Sequence, residues 1–209
     1  MDTSEKNDIK KTSWVLCIGV FLLVLIIYGV VNHLPLHRYT INFIFYEEKI
    51  PFLPWTFVIY ISLLLQSLFI LRILPQPFLK KALLSFFLIL LISVAFFILL
   101  PIQYPRYMFP TTNFVGVLLR KIDNTGNCFP SLHVSIAILL AGCYSLTERS
   151  VLRRSLVWLW TIAIIFSVLT TKQHYLIDVL GGILLVLPFI FYLKISAKND
   201  LRRNNKWVW

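Results

Sequence analysis

Glycine, charge and acidic residues are all scarce in this sequence. Seven glycines in 209 residues, beside several apolar runs of spanning length, favour helices over a barrel, because backbone exposed to lipid must satisfy its own hydrogen bonds. Charged residues make up 14% of the chain and hydrophobic residues 58%, with mean hydropathy +0.80. A soluble domain of this length has no means of hiding so much apolar surface. The nine acidic residues are outnumbered by twenty Lys and Arg, giving a net charge of +11. Nucleic acid is an unsuitable partner even so, because the basic residues lie between hydrophobic runs rather than in one patch. The three cysteines, Cys17, Cys128 and Cys143, form neither a disulfide framework nor a paired-cysteine zinc motif. There is no Asn-x-Ser/Thr sequon, which is compatible with a bacterial source.

The apolar runs predict an all-α integral membrane bundle of six transmembrane helices. They cover Trp14–Val31, Trp55–Leu74, Lys80–Leu100, Pro130–Leu146, Val151–Thr170 and His174–Lys194. The first has spanning length and no small-residue cleavage site after it, so it reads as a retained helix rather than a secretory signal. Leu74-Pro75-Gln76-Pro77 separates the second and third runs, and Pro188 falls inside the last, where a kink is expected. With six crossings, 14 Lys and Arg fall on the side of the two termini and 6 on the other, which makes both termini cytoplasmic. The whole chain, 1–209, then forms one membrane-embedded domain with tails at 1–13 and 197–209. The second tail is basic and ends in Trp207-Val208-Trp209, a composition suited to the membrane surface. In the loop before the fourth run, Asn113–Arg120 has apolar residues at helical spacing and predicts a short interfacial helix.

Two segments carry the chemistry, and this topology puts both on the periplasmic or lumenal face. In Thr171-Lys172-Gln173-His174-Tyr175-Leu176-Ile177-Asp178, His174 and Asp178 lie four apart at the expected start of a helix and so share a face. Asp178 can accept a hydrogen bond from one ring nitrogen, fixing the tautomer and leaving the other nitrogen free to attack. Asp178 is also the only acidic residue inside the six runs, where a carboxylate is costly unless paired or wet. The alternative is a structural His–Asp pair that locks the helix to a neighbour. In Cys128-Phe129-Pro130-Ser131-Leu132-His133, the helix start offers amides for an anion, Ser131 adds a hydroxyl and His133 a second proton carrier. The alternative there is a plain helix cap with an interfacial histidine.

Cations complete the set. Arg106 is held between Pro105 and Pro110, and its guanidinium matches phosphate oxygens bidentately. Lys172 offers a point charge two residues before His174. Arg120 and Lys121 read better as interfacial anchors, as do His33 and His37, which lack an acidic partner at helical spacing. Two histidines and an aspartate also suit a metal, but Arg and Lys around a catalytic metal would repel it, so phosphate fits the local charge better.

Together these residues resemble the type 2 phosphatidic acid phosphatase superfamily. Its pattern is K-x-x-x-x-x-x-R-P, then P-S-G-H, then S-R-x-x-x-x-x-H-x-x-x-D. Pro130-Ser131-Leu132-His133 matches the second part with Leu132 for glycine, His174 and Asp178 match the end of the third, and Arg106 is the best match to the first arginine. The Cys-Phe-Pro-Ser-Leu-His and Gln-His-Tyr forms look more like the branch of inositol phosphorylceramide synthases. Leu99 stands at the family lysine, Val168 at the family arginine and Tyr107 at the family proline, so the set of cations is reduced.

The resemblance implies that His174 attacks phosphorus and forms a phosphohistidine while Asp178 orients it. His133 protonates the leaving oxygen, and Arg106, Lys172 and Ser131 hold the phosphoryl oxygens. Neither a metal nor another cofactor is needed. The expected substrate is a phospholipid or polyprenyl phosphate, hydrolysed at the periplasmic or lumenal face of a membrane, the bacterial inner membrane being favoured. Two alternatives stand beside hydrolysis: transfer of a phosphate or phosphate-linked headgroup between lipids, and a degenerate binder of lipid phosphates.

Overall fold

The computed structural model describes residues 3–43 and 47–204, whose regular elements are all helices, with no strand among them. The helices are α1 (Thr3–Asn32), α2 (Phe57–Ile73), α3 (Gln76–Leu99), α4 (Phe114–Ile122), α5 (Leu132–Thr147), α6 (Val151–Thr170) and α7 (Leu176–Asn204). Four segments are long and apolar enough to cross a membrane: Pro54–Ile73, Phe78–Leu99, Val151–Thr170 and Leu176–Lys198. That is consistent with an integral membrane protein. Two shorter apolar helices accompany them, Ile18–Asn32 within α1 and Leu132–Thr147.

Helix boundaries follow local chemistry. Leu74 is extended, as a residue before proline prefers, and this ends α2. α3 begins at Gln76, four residues before the expected Lys80, because Pro77 sits in the first turn, where a missing N–H costs nothing. Ser150 caps α6 by accepting from the Arg153 amide, and α6 begins and ends where its apolar run does. α7 runs through Pro188 without a break and continues to Asn204, so much of the expected C-terminal tail is helical. The Trp207-Val208-Trp209 end lies outside the described residues.

α5 is the centre of the bundle. It packs on α2, α3, α6 and α7, and Ala137, Leu139, Leu140, Ala141 and Cys143 are all buried. A helix apolar on every side belongs inside a core. Its 16 residues span about 24 Å, less than the roughly 30 Å of a hydrocarbon layer. α7 approaches α5 closely at Gly182, whose carbonyl accepts from the Ser135 hydroxyl at 2.9 Å. A Cβ at position 182 would fall 2.6 Å from the Ser131 carbonyl oxygen, so only glycine fits there.

The loops at the α5 N-terminus are stitched together above the core. Tyr39 and Ile102 form an isolated bridge, the Tyr39 amide donating to the Pro101 carbonyl and the Gln103 amide to the Tyr39 carbonyl, both at 2.9 Å. Tyr175 packs on Tyr104 with ring centroids 4.6 Å apart and donates its hydroxyl to the Gln103 carbonyl at 3.1 Å. α4 is the short helix expected in this region. Asn113 caps it by accepting from the Gly116 amide.

Candidate active site

His174 lies in a turn, not on a helix. α6 ends at Thr170 and α7 starts at Leu176, two residues after the histidine. The expected shared helical face for His174 and Asp178 is therefore corrected: a loop makes the pair. Lys172 turns the chain with φ 55°, a left-handed conformation uncommon for a residue with a Cβ. The turn is held by Thr171 Oγ1 donating to the Ser167 carbonyl at 2.6 Å, and by the Lys172 and Gln173 amides donating back into α6.

The first turn of α7 then brings the carboxylate round. Asp178 Oδ2 accepts from the Tyr175 amide at 2.8 Å, the return half of a capping box. Glu47, from a distant loop, accepts the Leu176 amide at 2.7 Å. A carboxylate at this end also complements the helix dipole. With both ends of the turn pinned, His174 Nδ1 stands 3.0 Å from the Cys128 carbonyl oxygen and 3.4 Å from Asp178 Oδ2. Both oxygens only accept, so the network assigns the proton to Nδ1 and leaves Nε2 with its lone pair free.

His133 is the second residue of α5. Its ring stacks on Tyr60 of α2, with centroids 4.1 Å apart, and its Nδ1 lies 3.2 Å from the Tyr60 hydroxyl. The His133 and His174 ring centroids are 6.3 Å apart, close enough for one phosphoryl group to touch both. Ser131 precedes α5 and ties it to α7, its amide donating to the Asp178 carbonyl at 2.9 Å. The Ser131 hydroxyl is fully buried and has no partner among the described residues. An unpartnered buried hydroxyl is costly, and a ligand oxygen is one way to satisfy it.

The two expected cations are placed differently. Arg106 is buried and gives both terminal nitrogens to Asp123: Nη1 to its carbonyl at 2.9 Å and Nη2 to its carboxylate at 3.0 Å. Tyr28 and Asn32 of α1 donate to the other Asp123 oxygen at 2.8 and 2.7 Å. Burial opposes the Arg106 cation more strongly than any one neighbour favours it, but Asp123 together with Cys128, Tyr60 and Tyr28 outweighs burial, and the guanidinium pKa lies above its ordinary value. Lys172 Nζ donates to the Glu47 carbonyl at 3.3 Å and lies 4.9 Å from the Phe109 ring centre. Burial lowers the Lys172 pKa and the Glu47 charge works against that. Arg120 is built into the loop, donating to the Phe109 carbonyl at 2.6 Å and covering the rings of Phe52 and Phe57, while Lys121 is exposed.

His174 thus contacts Asp178, and the His133 ring lies near it. A family model described as the PAP2 superfamily matches residues 40–192. The chain belongs to this superfamily. The matched segment contains all six expected site residues, and α1 lies outside it. No curated protein matches the chain.

Ligand atoms of Cys128, His174 and Asp178 lie within 4.8 Å of one another. The donor set fits a cation poorly. Burial, and then the Asp178 charge, push the Cys128 thiol well above its ordinary pKa, whereas a metal takes the thiolate. Cys128 Sγ donates to the Thr125 carbonyl at 3.3 Å, and His174 Nδ1 is committed to the Cys128 carbonyl.

Three residues at this site carry no mark in the family pattern: Tyr60, Asp123 and Glu47. Asp123 did leave a signal, being the only carboxylate between Pro101 and Phe129, a loop with three cations. Tyr60 and Glu47 left none, since they meet their partners across 73 and 129 residues of chain.

Proposed function

We propose that the chain is a lipid phosphatase working through a phosphohistidine at His174. The observation that carries this reading is the His174 ring, its Nδ1 proton held by acceptors and its centroid 6.3 Å from that of His133. In the first step Nε2 attacks phosphorus, an N–P bond forms, and the bond to the lipid oxygen breaks as His133 delivers a proton to it. In the second step His133 takes a proton from water, the water oxygen bonds to phosphorus and the N–P bond breaks. Arg106 and Ser131 hold equatorial oxygens, where charge accumulates in phosphoryl transfer. For Arg106 this means sharing its fork between Asp123 and the phosphate. Lys172, with its Nζ at the Glu47 carbonyl and over the Phe109 ring, adds its charge.

In this reading α1 and α5 cross the membrane along with the four longer segments, giving six spans. Both termini are then cytoplasmic and the site faces the periplasm or lumen, as the distribution of Lys and Arg favours. The short α5 is compatible with that because other helices surround it.

Transfer to a lipid alcohol is the second reading. The surroundings of His133 favour it, since the Tyr60 ring, Leu132 and Ile136 offer an alcohol an apolar approach. One experiment separates the two. Purified protein is given a panel of lipid phosphates and diphosphates, and free phosphate and lipid mass are followed together, with His174→Ala as control. Phosphate release by the wild type alone supports hydrolysis. A new headgroup on a lipid without phosphate release supports transfer. Silence in both channels removes the enzyme reading in favour of a lipid-phosphate binder.

A further inference from the structure

An apolar slot of about 210 Å³ opens beside His133. α1 forms one side and α2 the other, Phe86 of α3 lies at the base, and His133 and Ile136 of α5 close the inner end. α1 rests chiefly on α3, and α2 rests on α5 and α6, which leaves the gap between them. Leu25 of α1 and Leu64 of α2 line the slot and are each 48% exposed, so the mouth opens on the lipid-facing side of the bundle.

The slot changes character along its length. The mouth and walls are aliphatic and aromatic. Apart from Ser67, whose hydroxyl donates to the Leu63 carbonyl, polar groups gather at the inner end, where Tyr60 meets His133 and Asp123 is held by Tyr28. A lipid phosphate has the same order of parts: a hydrocarbon chain, then the ester oxygen, then phosphorus. The volume far exceeds the roughly 10–15 Å³ that one water molecule needs, leaving room for a stretch of one chain. The α1 wall, with Val24 and Leu25, precedes residue 40, where the family match begins. One side of the slot is thus supplied from outside the matched segment.

We propose that this slot holds a single hydrocarbon chain of the lipid alcohol whose oxygen His133 serves, and that α1 selects among such lipids. The role given to His133 rests on the phosphatase reading; binding of the chain does not require turnover. The alcohol enters the slot as the leaving group and, in the transfer reading, as the acceptor.

Photo-crosslinking of the full chain with hexadecyl phosphate and with hexadecanol, each carrying a mid-chain diazirine, tests this directly. Labelling is expected at residues 21–28 and 60–67, competed by unlabelled lipid and unchanged in His174→Ala. Leu64→Trp at the mouth and Val24→Phe in the wall should each cut that labelling about tenfold. They should also raise the KM for hexadecyl phosphate, relative to that for butyl phosphate, by a similar factor. Leu64→Trp, at the exposed mouth, covers the case in which Val24→Phe fails to fold. Labelling as strong on the exposed faces of α6 and α7, or none at all, would overturn the slot. Slot labelling without phosphate release from any lipid would keep the slot and remove the phosphatase reading. Phosphate release with labelling elsewhere would do the reverse.

Discussion

The two histidines of the site are held in opposite ways. His174 sits in a pinned turn, its Nδ1 facing a carbonyl and a carboxylate that can only accept. His133 sits in the first turn of a helix, its Nδ1 facing a phenol that can donate or accept, with the ring stacked on that phenol. A nucleophile needs one constant tautomer, and acceptors enforce it. A group that gives a proton in one step and takes one in the next needs a partner tolerant of both states, and a hydroxyl provides that. The difference in partners therefore matches a division of labour between nucleophile and proton carrier.

Four substitutions bear on that comparison. His174→Ala should have the largest effect, a loss of about 10⁴-fold or more in turnover with no acid-labile phosphoenzyme. Phosphate release near the wild-type rate would take the nucleophile away from His174. His133→Ala should cost about 10³-fold, within the usual range for a general acid, while phosphorylation of His174 by a substrate with a good leaving group persists. If that activated substrate is lost equally, His133 does more than carry protons.

Asp178→Asn should lower turnover about 10²-fold and also reduce stability by about 1 kcal/mol, because the same carboxylate accepts the Tyr175 amide. Thermal unfolding measured beside kinetics separates the two; a stability change with an intact rate would make Asp178 purely structural. Tyr60→Phe should have the smallest effect, about fivefold in turnover, since the stack on His133 survives and only the hydroxyl is lost. A loss as large as that of His133→Ala would mean that Tyr60 itself handles the proton.

The helices were legible to different degrees for physical reasons. α6 coincides with its apolar run because a serine cap precedes it and polar residues flank it. The start of α7 was misplaced because the break before it carries neither glycine nor proline; Lys172 adopts the left-handed turn unaided. The early start of α3 was hidden by Pro77, which looks like a breaker but is tolerated in a first turn.

The arrangement of charge was less legible. The motif match leads one to expect Arg106 as a phosphate ligand, yet its fork is occupied by Asp123, which α1 in turn secures through Tyr28 and Asn32. Lys172, two residues before His174 in sequence, spends its visible contacts on Glu47 and Phe109. Proximity along the chain places cationic residues in these loops without saying which way they face.

The sequence by itself determined the superfamily, the helical class and the pairing of His174 with Asp178, because these depend on composition and short spacing. Four residues is a distance that few turns can place out of reach. Only the tertiary structure decided that Tyr60 stacks on His133, that Asp123 holds Arg106, that Glu47 caps α7 and that α1 and α2 leave a slot between them. Each of these joins elements far apart in the chain, and such contacts are set by how buried faces pack rather than by any local pattern.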